Sequence, residues 1–352
     1  MALLEVRDLK VQFATDDGVV RAVDGVSFSV EAGRSLGIVG ESGSGKSVSN
    51  LSLLGLTRAG NASFSGEVMF EGRDLLKMPE AELRQIRGEE IAMIFQDPLS
   101  SLHPFYRVGD QLIEAVRAHH DVSKRAGKDR AIEMLQLVGI PEPRSRVDSY
   151  PHEFSGGMRQ RAMIAMALIN SPKLLIADEP TTALDVTVQA QILELIERLQ
   201  SETGTAVILI THDLGVVAEV THDIAVMYAG RVVERAPTAE LFAAPQHPYT
   251  WGLLRSIPRL DSPRDEELVP IEGRPPSMIT RPSGCAFHPR CPYVREAHKR
   301  VDPRLEPVTG RPGHDVACLL TPDTRNELWR RLAAGEAPDR ARAAVPMGEP
   351  VE

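Results

Sequence analysis

The chain has 352 residues, 42% of them hydrophobic and 25% charged, with a net charge of −9. That length and composition predict one large and one small globular domain with a substantial core, and the acidic balance excludes the basic footprint of nucleic-acid binding. The longest apolar runs, such as 162–169, fall short of the ~20 residues that cross a bilayer, and the N-terminus, acidic by Glu5, has no signal-peptide core, so a cytosolic protein is expected whose membrane role comes only through partners.

Residues Leu3 to Phe13 and Ala22 to Val30 read as two strands, with Asp16-Asp17-Gly18 between them as a hairpin signal. Phe13 suits stacking on an adenine ring, and suits equally an ordinary strand position. Leu36-Gly37-Ile38-Val39 is a short buried strand, and Val48 to Leu56 a helix. Between them lies Gly40-Glu41-Ser42-Gly43-Ser44-Gly45-Lys46-Ser47, which fits the phosphate-loop pattern G-x-x-x-x-G-K-[ST] at every required position. Glycines let backbone N–H groups close on phosphates, and the helix dipole favours their charge. Lys46 is placed to reach the β- and γ-phosphates, and the Ser47 hydroxyl to bind Mg²⁺.

Ser65 to Phe70 adds β structure, Glu80 to Ile86 a helix, and Ile91 to Phe95 a buried strand broken at Gln96-Asp97-Pro98. A glutamine at the carboxyl end of a core strand stands where α/β sheets gather ligand groups. From Asp97 to about His152 the β signals stop. Gln111 to His119 and Arg130 to Val138 have helical spacing until Pro141 and Pro143 interrupt it, which predicts a helical insertion in a nucleotide-binding core. Phe154-Ser155-Gly156-Gly157-Met158 then opens an apolar helix, a second helix end of phosphate-binding type. Leu174 to Ile176 begins a buried strand that ends in Asp178-Glu179. Near a phosphate loop these carboxylates suit holding Mg²⁺ through water (Asp178) and polarising the attacking water (Glu179). Thr181 to Asp185 is a turn, Thr187 to Gln200 an amphipathic helix, and Ala206 to Ile210 a strand that leads to His212.

In this order the features resemble the ATP-binding subunit of ABC transporters. The phosphate loop is similar to Walker A, Gln96 to the Q-loop, and Phe154 to Met158 to the signature. Asp178 and Glu179 resemble Walker B with its catalytic glutamate, Ala183-Leu184-Asp185 the D-loop, and His212 the switch histidine. The resemblance covers residues 1 to about 240. It implies an α/β P-loop core with a β-rich N-terminal subdomain and a helical subdomain at about 97–170. It implies a head-to-tail dimer in which Ser155, Gly156, Gly157 and Met158 of one subunit complete the ATP site of the other, with Asp185 in the D-loop. At that site Gly40, Ser42, Gly43, Ser44, Gly45, Lys46, Ser47 and Phe13 bind ATP. Ser47, Gln96 and Asp178 serve Mg²⁺, and Glu179, His212 and Gln96 serve hydrolysis. Met158 departs from the family, whose common signature has glutamine there; the serine and both glycines remain.

Residues 241–321, with His247-Pro248-Tyr249-Thr250, Glu272-Gly273-Arg274-Pro275-Pro276 and Cys285 to Pro292, resemble the small C-terminal extension of ATPases that serve oligopeptide and dipeptide importers, a group that includes some nickel importers. The tail, 322–352, is rich in Ala, Arg, Glu and Pro, and apart from a short Asn326–Ala333 helix it is expected to be poorly ordered. In that group four cysteines are associated with an iron–sulfur cluster. Here Cys285, Cys291 and Cys318 match three of them, and His298 stands at the remaining spacing. Such a set suits a [4Fe–4S] cluster, a Cys₃His zinc site or three unligated thiols, one or more of them buried as small hydrophobes.

The implied function is an import ATPase, peripheral on the cytoplasmic face of the cell membrane. Its implied partners are a second ATPase subunit, identical or related, two permease subunits and an extracytoplasmic binding protein. The permeases would dock a short helix in a groove beside Gln96 and the helical insertion. The rivals are a nickel or other small-solute importer, a soluble ABC ATPase of translation or DNA repair, and a redox sensor built on the C-terminal metal site.

Overall fold

The structure, a computed structural model, describes residues 2–97, 101–181, 185–257 and 270–346. Strands β1 (Ala2–Thr15) and β2 (Gly18–Glu31) form the expected hairpin, with Thr15 opposite Gly18. After β3 (Ser35–Val39), strands β4 (Ala62–Phe70) and β5 (Arg73–Asp74) join them in an antiparallel sheet of order β2-β1-β4-β5. A second sheet gathers β6 (Ile91–Ile94), β7 (Leu174–Asp178), β8 (Ala206–Thr211), β9 (Asp223–Tyr228), β10 (Arg231–Pro237), β11 (Glu306–Pro307) and β12 (Asp315–Val316) around β3. Its order is β11-β12-β10-β9-β3-β8-β7-β6, parallel from β9 through β6 and antiparallel elsewhere.

The parallel strands of this sheet are largely apolar without alternation because both faces are covered. Leu36, Ile38, Leu174, Ile176, Ile208 and Ile210 enter the core shared with the antiparallel sheet. The residues between them, such as Leu175, Ala177, Val207 and Leu209, enter the core shared with the helices. This is the α/β fold with a β-rich N-terminal subdomain that the sequence predicts.

The helical insertion runs through helices Val108–Arg117, Lys124–Leu137, Pro143–Arg146 and Gly156–Leu168. Two of these begin earlier than the periodicity suggests. Residues 124–129 carry almost no apolar signal, yet the Ser123 hydroxyl accepts from the Ala126 N–H (3.2 Å) and starts the helix there. Gly127 lies in that first turn, where a side chain would press on Ile113.

The C-terminal extension differs most from expectation. It is continuous with the cassette: Glu234 of β10 pairs with Val316 of β12, which extends the large sheet. Beyond Leu320, where only a short Asn326–Ala333 helix is expected, the chain folds into helices Pro322–Ala333, which contains it, and Pro338–Ala344. Leu328, Leu332, Ala341 and Val345 pack there against Trp251, Tyr293 and Leu320 in a core of their own. Each helix opens with proline at its first position, and the Thr321 hydroxyl caps the first one; the apolar residues are spaced too sparsely to suggest a core.

A close backbone approach ties the insertion together. A Cβ on Gly109 would lie 2.5 Å from the Val147 carbonyl oxygen, an immovable neighbour. Gly109→Ala is therefore expected to destabilise the chain by about 1–3 kcal/mol through overpacking, read as a lower denaturation midpoint with an unchanged m-value.

Candidate active site

Parallel register sets what this site contains. Val39 pairs with Thr211, and Asp178 with Ile210, so the carboxyl ends of β3, β8 and β7 finish level. The turns that leave them carry Gly40, His212 and Glu179, at the edge where open α/β sheets bind ligands.

Gly40 and Gly45 let the loop close on the sheet. A Cβ on Gly40 would lie 2.2 Å from the Met227 carbonyl oxygen, and one on Gly45 2.3 Å from that of Ala22. Helix Lys46–Leu53 starts directly after Gly45 and presents its unpaired N-terminal N–H groups to the loop. The buried Ser44 hydroxyl has no partner within the protein, which suits a phosphate oxygen. Buried Lys46 donates from Nζ to the carbonyls of Gly40 (2.6 Å) and Glu41 (3.0 Å). Burial lowers the pKa of its ammonium, against the attraction of Glu179, Asp178 and Glu41. Ser47 Oγ donates to Asp178 Oδ1 at 3.2 Å. Burial raises the Asp178 carboxyl, while the Ser47 hydrogen bond pulls the other way. A hydroxyl and a carboxylate so placed are hard oxygen donors that fit Mg²⁺.

Glu179 holds a backbone φ of +47°, uncommon for a residue with a side chain. Its N–H donates to the Ile210 carbonyl at 2.9 Å. Its carboxylate accepts from Gln96 Nε2 (2.9 Å) and lies 3.3 Å from His212 Nδ1. Residues from four separate stretches thus meet at one edge: Gly40 to Ser47, Gln96, Asp178 with Glu179, and His212.

Other expected site residues lie apart. Ser155 is exposed and caps helix Gly156–Leu168, its hydroxyl accepting from the Met158 N–H at 3.3 Å. Among the described residues no hydrogen bond joins Ser155, Gly156, Gly157 or Met158 to the phosphate loop. Asp185 caps helix Val186–Thr203, accepting from the Val188 N–H at 3.0 Å; Ala183 and Leu184 fall outside the described residues. Phe13 is half-buried opposite Val20, packed against the core under the antiparallel sheet.

The expectation of an iron–sulfur or zinc centre is corrected. Among the described residues no group of three or more His, Cys, Asp or Glu side chains is arranged to hold a metal ion. His298 is turned to its own turn, its Nδ1 accepting from the Arg295 N–H at 3.1 Å. Cys285 lies in the main core, and Cys291 and Cys318 pack against the C-terminal one. Burial raises all three thiols, Cys318 to about 12, so each is protonated in this arrangement. The redox-sensor reading goes with the cluster. Cysteine spacing is a weak guide where small buried thiols pack as well as ligate.

One contact was not legible in the sequence. Glu41, at a free position of the loop motif, is held by Arg290 and Tyr249 of the extension. The only hint was a charged residue where the motif leaves the choice open.

Residues 23–182 match the ABC transporter family, and residues 233–297 the oligopeptide/dipeptide transporter C-terminal region. The chain is 53% identical over 323 residues to the oligopeptide transport ATP-binding protein OppD of Bacillus subtilis, covering 91% of this chain and 90% of the relative. It is 50% identical over 338 residues to the dipeptide transport ATP-binding protein DppD of the same organism, covering 96% and 99%. Among solved structures, a dimeric ATP-binding cassette in a post-hydrolysis state, bound to ADP and Pi, superposes with a TM-score of 0.60 at 26% identity, over 67% of this chain and 98% of that one.

The thiols give a direct check. Cys285, buried and with its thiol pushed up by burial, is expected to react with a disulfide reagent at pH 8 more than about tenfold slower in the folded chain than after denaturation; equal rates would show that it is not a core residue.

Proposed function

Because the chain belongs to the ABC transporter ATPases, in the oligopeptide and dipeptide transport group, we propose a working mechanism in which its strand-end cluster hydrolyses ATP across a dimer interface. The protein is an ATP-hydrolysing subunit that energises a peptide importer. The same relatives favour peptides over nickel, and over a soluble non-transport ATPase. The observation that carries the mechanism is the convergence of Lys46, the Ser47–Asp178 pair and Glu179 at level strand ends.

In this mechanism the N–H groups of residues 40–47 bind the phosphates, and Lys46 turns from the Gly40 and Glu41 carbonyls to the β- and γ-oxygens. Ser47 and Asp178 would hold Mg²⁺, which when bound would supply positive charge against that developing on the transferred phosphoryl group. Glu179 takes the proton of the attacking water. Gln96 and His212 orient the Glu179 carboxylate, and both are exposed enough to meet substrate directly. Phe13 stacks on the base. Ser155 and Gly156, exposed at a helix N-terminus, complete the site of a second copy or of a related ATPase. A relative solved as a dimer with ADP and Pi supports that arrangement. Binding of the γ-phosphate between two bodies ties them shut, and its loss releases them.

Permease docking is assigned to a groove of about 590 Å³ between the insertion and the strand before Gln96, lined by Leu56, Met93, Phe95, His119, Met163 and Met166. Leu56 and Phe95 are large apolar side chains left exposed there, which suits an amphipathic helix laid in the groove. No helix among the described residues is long and apolar enough to cross a membrane. The peptide-transport relatives support a peripheral place on the cytoplasmic face, with an extracytoplasmic binding protein delivering peptide from the other side.

Two substitutions test the assignments. Lys46→Ala is expected to abolish nucleotide binding or turnover. Glu179→Gln is expected to keep ATP bound, lower hydrolysis about a hundredfold or more, and accumulate a closed dimer visible by size-exclusion chromatography. Undiminished steady-state hydrolysis in Glu179→Gln removes the base assignment.

A further inference from the structure

Glu41 is the second residue of the phosphate loop, and both its main chain and its side chain are held from the C-terminal extension. Its N–H donates to the Tyr249 hydroxyl at 2.8 Å. Its carboxylate receives both ends of the Arg290 guanidinium, Nη1 to Oε2 at 2.6 Å and Nη2 to Oε1 at 2.9 Å. Its carbonyl is one of the two that hold Lys46 Nζ. One residue therefore joins the extension to the lysine of the loop.

The clamp is rigid on the extension's side. The Arg290 side chain is 3% exposed, against 28% for Glu41. Arg290 Nε donates to the Glu272 carbonyl (2.9 Å), and Nη2 donates also to that of Ile271 (3.2 Å). Its guanidinium lies 5.8 Å from the centre of the Tyr228 ring. Tyr249 is fully buried among aromatic rings, 4.7 Å from Tyr228 and 5.4 Å from Phe287. A planar fork with its other donors already engaged loses little freedom when it grips a carboxylate, so it fixes position as well as adding energy. The ATPase chemistry has no use for Glu41, whose carboxylate is committed to Arg290. What the contact can do is set the shape of the loop.

We propose that Arg290 and Tyr249 are positioning residues for nucleotide: through Glu41 they hold the main chain of the phosphate loop in its binding shape, and so make the affinity for a nucleoside di- or triphosphate depend on the extension. The proposal rests on the phosphate-loop reading above. A preformed loop binds ADP and ATP alike, so its loss removes uniform binding, which raises KM and leaves kcat. Coupling of this kind is reciprocal, and bound nucleotide stabilises the docked extension in turn.

The experiment is ADP binding by calorimetry, with KM and kcat for ATP and the melting temperature, on full-length Arg290→Gln, Arg290→Lys, Glu41→Gln, the Arg290→Gln/Glu41→Gln double variant, Tyr249→Phe and Lys46→Ala. Arg290→Gln is expected to weaken ADP binding and raise KM about fivefold or more, the loss of a charge-assisted contact, with kcat within about twofold. Glu41→Gln does the same, the double variant adds nothing further, and Arg290→Lys recovers part of the loss. Tyr249→Phe keeps the ring packing and gives a smaller rise; it carries the test if Arg290→Gln does not fold. Wild-type ADP affinity in both Arg290→Gln and Tyr249→Phe overturns the proposal, whatever the melting temperature does, because a tie that only docks the extension moves stability alone. Lys46→Ala keeps the two readings apart. If it binds ADP normally the phosphate-loop reading fails and takes the proposal with it. If it loses ADP while the Arg290 and Tyr249 variants do not, the proposal alone fails.

Discussion

The level finish of three parallel strands is the constraint on which the rest of this protein depends. Side chains alternate faces along a strand, so a slip of one residue in β7 against β8 would turn Asp178 away from Ser47 and exchange the contents of two cores. The double burial of the sheet prevents that slip. Leu174 and Ile176 belong to one core, Leu175 and Ala177 to the other, and neither set can move without exposing or overfilling a packed layer. The position of two carboxylates is therefore fixed by aliphatic packing below them.

The same pairing explains how the helical insertion touches the site. Strands β6 and β7 run side by side with Ile94 opposite Ala177, so the residues just beyond their ends, Gln96 and Glu179, are brought within a hydrogen bond of each other. Gln96 is also the start of the insertion, whose helices line the apolar groove beside Phe95. A partner seated in that groove and a phosphate at Glu179 would thus act on opposite ends of a few residues. The coupling path is short because insertion and site share one strand end, a physical connection that needs no long chain of side-chain relays.

Much of this was legible in the sequence because the chemistry demands particular residues at fixed spacing. Only glycine fits at Gly40 and Gly45, and the lysine and serine that follow must open a helix, so the phosphate loop reads directly. The uniformly apolar strands reported their two covered faces equally plainly. Capping chemistry was harder to read: Ser123 starts a helix through residues without apolar period, and the prolines at 322 and 338 begin helices in a segment whose composition suggested disorder. The cysteines misled because their spacing carried a pattern while their surroundings, invisible in sequence, are those of core packing. Contacts such as Glu41 with Arg290 join residues far apart in the chain through a surface-like charge at each end, and no local signal marks them.

Burial at the junction with the extension suggests that specificity, more than stability, maintains it. Glu234 is fully buried on β10 and accepts from the N–H groups of Gln246 and His247, with the His314 ring at 2.8 Å. Asp24 on β2 receives both Arg231 and Arg281 at 2.7 Å. At Asp24 the two guanidiniums outweigh burial and hold the carboxyl below its ordinary range, but removing Glu234 from water costs several kcal/mol that its partners must offset, and there an apolar seam would hold as firmly. It would not fix orientation. Each buried carboxylate instead accepts from donors in one geometry, and a half-formed network is worse than none. The extension is thereby seated in one pose against the sheet, with the guanidinium of Arg290 aimed at the loop where phosphate chemistry begins. A segment without catalytic residues of its own acquires a role because the cost of misplacing it falls on polar groups that have nowhere else to go.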